Sequence, residues 1–453
     1  MMEAYPWPTL LDEAMKKLEA TPLGALGDWI KNERGPQDSH ANLYLLLALA
    51  SARWVDHHGP YIGHGTFNGA PVRRAASILT PPYQNLALLQ TATYVVDLLH
   101  HPNYGPYTLM KMDPLQEATP DASQRALMAA IEAGNQPLAA EHRLVGLLKS
   151  DSPQSVRLFL LEAALRQFAE NEHRLLIIHR AAELLDDTHG WQWAEPVLRP
   201  VVQYLASRPG PSLPAETARF EALDLDGQSP PSRGAVEALM DALVNADAGT
   251  EPALMWAAAQ DAHSASLALE AASLAGAEML GRSRFDAHAV TGLHAISDLV
   301  RDAGLPTRIR ALALAVQLTS QRTRRQKAIR HQWHPAASPA PQSISSRQLQ
   351  EVLLNDPTGR NAWQMAASHL LAGGDPEALA RLLIQTALTA AGPFDAIHNV
   401  KMVWGQLLET RRSQCPDLAW RHLAAGASAI AVTVNRDEAR PVLEVWRRSG
   451  LAN

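Results

Sequence analysis

Apolar residues recur every three or four positions along almost the whole chain, the spacing that lines one face of a helix. In LFLLEAALRQFAENEHRLLIIHRAAELL this puts Leu158, Leu161, Leu165, Phe168, Leu175, Ile178 and Leu185 on one broad stripe facing a core. The segment PALMWAAAQDAHSASLALEAASLAGAEML is small or apolar nearly all round and predicts a central, buried helix. GRNAWQMAASHLLAGGDPEALARLLIQTALTAA predicts two helices split at Gly373–Gly374. Asp375 is the N-cap of the second, with Pro376 at its first helical position. Leucine and alanine dominate, β-branched runs are scarce, and no two segments alternate like paired strands. The expected fold is all-α.

Two stretches interrupt the pattern, 207–233 with its RPGPSLP and GQSPPSRG, and 333–346, WHPAASPAPQSISS. Proline removes a backbone donor and stops helices, so both read as loops. They separate helical blocks at 10–205, 234–331 and 346–451. No constant period relates the helices, which argues against a regular solenoid. The expectation is one large multi-helix unit over 1–453, its three blocks arranged around a central site.

Composition narrows the function. With 453 residues and 47% hydrophobic content the chain can bury a large core. A net charge of −6 gives no reason to expect a nucleic-acid partner. The basic run Arg322–His334 reads as a solvated face. Cys415 is the sole cysteine, so intrachain disulfides and thiolate metal sites are excluded, which fits a reducing cytoplasm. The start, MMEAYPWPTLLDEAM, lacks a secretory pattern, and no apolar run approaches the ~18–20 residues of a membrane span. A soluble, cytoplasmic protein is expected.

The 18 histidines change the picture, because imidazole is the commonest ligand for iron, zinc and copper and the usual acid/base near neutral pH. His64 stands in the glycine-punctuated HGPYIGHG, where backbone can approach a ligand closely. Arg73 and Arg74 follow and are candidates to hold a substrate carboxylate. His100–His101 end a helix before PNYGPY, whose Tyr104 and Tyr107 are candidates for a pocket; the alternative is a histidine pair meeting a helix dipole. Glu170 and His173, three apart, match half of the Glu-x-x-His pattern of di-iron bundles. The second EHR, Glu141–Arg143, has Ala139 where the pattern needs a carboxylate. His179 follows His173 by six residues. In FDAHAVTGLHAISDLV, Ser283 or Asp286 caps a helix with His288 in its first turns and His294 projecting elsewhere. In FDAIHNVKMVWGQLL, Asp395 is the cap candidate, and His398 and Lys401 share a face. Lysine is rarely buried. Either its head reaches water past the apolar stem, or it has a use in the core.

The last two segments resemble the questin oxidase-like family, helical non-haem oxygenases that act on polyketide aromatics. HAVTGLHAISDLV is similar to the family's His-Ala-Val-Thr segment. DAIHNVKMV is similar to its Asp-x-His-x-x-Lys segment, with one extra residue between aspartate and histidine. SHANLYLLLALASA, with His40, loosely resembles an early histidine-bearing helix, and HRLLIIHRAAEL a mid-chain one. The motifs are short and spread over most of the chain. In one branch of the family, four histidines and a carboxylated lysine hold iron.

The resemblance implies His173, His288, His398 and Lys401 as metal ligands. Further histidines of the family's early helix are Leu43 and Tyr44 here, so the fourth histidine is left to His64 or His179. A carbamylated Lys401 would be an anionic oxygen donor, suited to Fe(II) and also to Mn(II) or Zn(II). Gly292, Ala295 and Gly405 would leave room for a flat aromatic ligand. The reading is therefore a mononuclear Fe(II)- and O₂-dependent oxygenase acting on an aromatic or polyketide-type small molecule, with Tyr104 and Arg73 at the substrate. The alternatives are a metal-free helical scaffold and a di-iron or hydrolytic metalloprotein using Glu170 and His173.

Overall fold

The computed structural model describes residues 4–34, 40–53, 64–100, 109–167, 173–208, 230–245, 264–282, 287–328 and 338–453, together with 210, 220, 223 and 225. Among these the fold is all-α, as the apolar spacing predicts. The one β-type contact among them is an isolated bridge between Ala4 and Met110. The chain forms two compact units, one of 1–212 with 437–453, the other of 213–436. The chain passes between units twice, first within the proline-rich stretch 207–233 and again at 436–437, whereas 333–346 lies within the second unit.

In the first unit, helix His40–Arg53 is buried on every side from Leu43 to Ala52. Helix Pro81–Leu99 opens on prolines after an extended Thr80 and is buried over most of its length. The stripe from Leu158 to Leu185 belongs to two helices, Pro153–Arg166 and His173–Asp187, which pack against each other. Phe168 and Glu170 lie outside the described residues. Buried Arg174 donates to the Leu205 carbonyl (2.9 Å) and to Gln167 Oε1 (3.0 Å), so one guanidinium joins the start of His173–Asp187 to the end of Ala194–Ser207. The C-terminal segment returns to this unit. The Trp446 indole donates to the Pro82 carbonyl (3.0 Å) and the Asn85 amide to the Leu451 carbonyl (3.0 Å).

In the second unit, helix Ser264–Arg282 is the expected central helix and meets helices Arg233–Asn245, Ala287–Arg301, Thr307–Ala328 and Pro416–Val432. Its small residues allow close neighbours, yet it also buries Glu270, Ser273 and Glu278. Residues 252–263 of the same apolar segment lie outside the described residues, as do 329–334 of the basic run and the side chains of its first seven residues, 322–328. The split at Gly373–Gly374 is as expected: helices Arg360–Leu371 and Pro376–Ala390 flank it, and Asp375 accepts from the Glu377 and Ala378 N–H groups. Helix Pro393–Arg412 differs from expectation at its start. It begins at Pro393 after Gly392, so Asp395 lies in the first turn, where it meets the dipole rather than capping the end.

Candidate metal centre

The short helix His64–Phe67 sits tightly against His40–Arg53. A Cβ at Gly65 would lie 2.5 Å from Ser51 Oγ, so only glycine permits the approach. That packing buries His64 to 3% exposure and brings its ring centre to 5.3 Å from that of His173, edge to face. Phe67 completes the cluster, 4.8 Å from His64 and 6.2 Å from His173. Two imidazoles meeting one ion at about 2.1 Å, at roughly octahedral to tetrahedral angles, have ring centres about 4.5–5.2 Å apart. The His64–His173 spacing is close to the upper end of that range.

His179 is buried further along the same helix, with Nε2 3.6 Å from Glu183 Oε1. Glu183 also accepts from Arg180 (2.5 Å) and from Arg74. Arg73 donates to Asp187 at 3.0 Å, and Arg74 reaches both oxygens of the same carboxylate. Thus Arg73, read as a substrate contact, is held by a carboxylate in this structure. His40 pairs with Asn85 (3.2 Å), and the second EHR serves packing: Glu141 takes Arg199 (3.1 Å), and His142 Nδ1 donates to the Asp113 carbonyl (2.6 Å).

In the second unit, His398 and Lys401 lie one turn apart on helix Pro393–Arg412, exposed by only 1% and 2%. A snorkelling lysine would keep its head in water; Lys401 does not. His398 Nδ1 donates to the Phe394 carbonyl at 2.7 Å. A carbonyl only accepts, so Nδ1 carries a proton, and in the neutral ring the lone pair is then on Nε2. Metal-bound histidines are oriented in this way, their second nitrogen tied to backbone or carboxylate. The Phe394 ring covers the imidazole at 4.2 Å between centres.

His288 opens helix Ala287–Arg301, but its side chain lies outside the described residues, as do Tyr104 and Tyr107 entirely. The space at Gly405, expected to admit an aromatic ligand, is taken by His294: a Cβ at 405 would lie 2.0 Å from His294 Nδ1. Helices Ala287–Arg301 and Pro393–Arg412 run alongside each other in register, with His294 at Gly405, Arg301 at Glu409 and Asp298 at Arg412. Glu409 is a buried polar residue that sequence reasoning missed, and the packing of His294 against Gly405 was not foreseen. Gly405, one turn past Lys401, was the signal for that packing.

Glu409 is fully enclosed, which pushes its carboxyl up. The Arg301 guanidinium overcomes this, His422 and His294 add to it, and the result is about 2. His422 is driven down to about 4 by burial; Glu409 pulls the other way, while Arg301 and Arg421 deepen the fall.

The chain matches no protein-family model, no curated protein and no solved structure.

Proposed function

We propose that the protein is a mononuclear non-haem iron oxygenase acting on an aromatic small molecule, related to the questin oxidase-like enzymes. The observation that carries the reading is His398, whose Nδ1 is tied to the Phe394 carbonyl one turn before a buried Lys401. That arrangement fits a ligand imidazole, and the lysine stands where the resemblance asks for an oxygen donor. Fe(II), when bound, supplies open positions for O₂ and substrate.

The chain's own residues have three tasks. His398 keeps its lone pair on Nε2 because Phe394 holds the tautomer. Lys401, taken up as a carbamate, becomes an anionic oxygen donor suited to Fe(II). Phe67 and Phe394 shield the imidazoles at each place from water.

The test is metal content after anaerobic Fe(II) reconstitution. Wild type should hold about one transition-metal ion per chain. His398→Ala and Lys401→Ala should lose it with helicity intact. Carbon-13 NMR after equilibration with labelled bicarbonate should show a carbamate that Lys401→Ala abolishes. A wild-type protein that takes up no metal on titration sinks the reading and leaves the helical scaffold.

A further inference from the structure

The first unit carries aromatic side chains at its surface that the metal reading does not use. Residues 4–7 lie across it as a strap. Ala4 pairs with Met110, and the Tyr5 N–H donates to the Leu109 carbonyl at 3.0 Å. The Trp7 N–H turns back to the Tyr5 carbonyl at 2.9 Å, closing a three-residue turn around Pro6. Pro6 and Pro8 fix a backbone angle on either side of Trp7. Tyr5 meets Trp7 edge to face, with ring centres 4.6 Å apart and planes at 61°. Trp193, immediately before helix Ala194–Ser207, lies 6.5 Å from Trp7 with the ring planes 30° apart. All three side chains are partly exposed. Single exposed apolar side chains are ordinary, whereas a contiguous aromatic patch marks a contact surface.

A carboxylate stands beside these rings. Glu195 lies in the first turn of helix Ala194–Ser207. Its charge reaches the Tyr5 phenol, which burial and then Glu195 push up to about 12 against the pull of Arg199. The shorter contacts of Arg199 go elsewhere. Its Nε–H donates to Glu141 at 3.1 Å and its Nη1 to the Met110 carbonyl at 2.6 Å, while Glu195 is 3.5 Å away. Burial pushes the Glu195 carboxyl up, and Arg199 and the exposed Lys149 bring it back toward the ionised form. The Glu195 side chain is 26% exposed, so a ligand can reach it.

A carboxylate repels anions, and indole and phenol rings attract a cation within about 6 Å of their centres. The spacings of 4.6 and 6.5 Å let one cation lie within that reach of Trp7 and of a neighbouring ring together. A primary ammonium is strongly hydrated. Methyl groups on the nitrogen weaken that hydration and add apolar contact with the rings.

We propose that Tyr5, Trp7, Trp193 and Glu195 form a surface site for a methylated ammonium group, the rings supplying π-surface and Glu195 the counter-charge. The site does not rest on the metal reading, since none of these residues belongs to the proposed ligand set.

The experiment is an NMR titration of the full-length protein labelled with nitrogen-15 at tryptophan. The Trp7 and Trp193 indole N–H signals are assigned by their loss in Trp7→Phe and Trp193→Phe. Tetramethylammonium chloride, exchanged for NaCl at constant ionic strength, should shift both along one saturable curve, with a Kd of about 1–10 mM. Glu195→Gln should weaken binding at least fivefold and Trp193→Leu at least tenfold, read on the Trp7 signal. If Trp193→Leu loses helicity, Trp7→Leu, read on Trp193, serves in its place. Dimethylbutanol, the uncharged isostere of choline, should bind at least tenfold more weakly than choline. Choline and a trimethyl-lysine peptide, in separate arms, tell a free small molecule from a protein side chain by which binds tighter. Shifts that never saturate, equal binding of the uncharged isostere, or a Glu195→Gln protein that binds like wild type overturns the proposal. Metal content plays no part in this titration, so the two readings fail separately.

Discussion

A methyl group at position 405 would sit 2.0 Å from His294 Nδ1. Gly405→Ala must therefore push the imidazole from a packed seam, at a cost of about 1–3 kcal/mol in urea unfolding. Acid should act on the same core in two stages. Glu409 and His422 both have folded values, about 2 and about 4, below their ordinary ones. The unfolded chain then binds protons first, and stability falls as pH drops. The His422 contribution should be lost between about pH 6.5 and 4, and the Glu409 contribution between about 4.5 and 2. The denaturant midpoint measured against pH should show both losses, and His422→Gln should remove the first alone. At this scale the one-turn spacing of His398 and Lys401 was legible, because it is a local property of one helix. The settings of His294 and Glu409 were not, because they come from a neighbouring helix.

The helical elements carry their own signals, and these were mostly readable. Asp375 with Pro376 marked a helix start correctly. Asp395 did not, because Pro393 already begins the helix and leaves the aspartate inside its first turn. The apolar stripe from Leu158 to Leu185 is likewise carried by two packed helices, since periodicity records which residues face a core but not how many helices carry them. Two left-handed glycines give a sharp comparison. Gly359 (φ 72°) packs its Cα against helix Pro416–Val432, where a Cβ would lie 2.7 Å from the Ser428 carbonyl oxygen. Gly373 (φ 86°) has open space around it. Gly373→Ala should cost only the backbone penalty, about 1–2 kcal/mol, whereas Gly359→Ala should cost distinctly more. Equal thermal shifts for the two variants would contradict this account.

For the whole molecule, the first unit is closed by a segment that arrives last in sequence. A Cβ at Gly27 would lie 2.5 Å from Ser449 Oγ, and Arg448 donates to the Gly24 carbonyl at 2.8 Å. Gly27→Ala should loosen residues 437–453, seen as faster hydrogen exchange there and at the N-terminal end of helix Pro81–Leu99. No helix among the described residues is long and apolar enough to cross a membrane, in line with the lack of a long apolar run. The all-α class, the helix breaks at proline and glycine, and the His398–Lys401 pair followed from the sequence alone, because each depends on neighbours within a turn or two. The return of 437–453 to the first unit, the closing of Gly405 by His294, and the Arg301–Glu409 pair were decided only in three dimensions. A period of 3.6 says that a helix has a buried face; it does not say which distant helix will meet that face, or which charge it will bring.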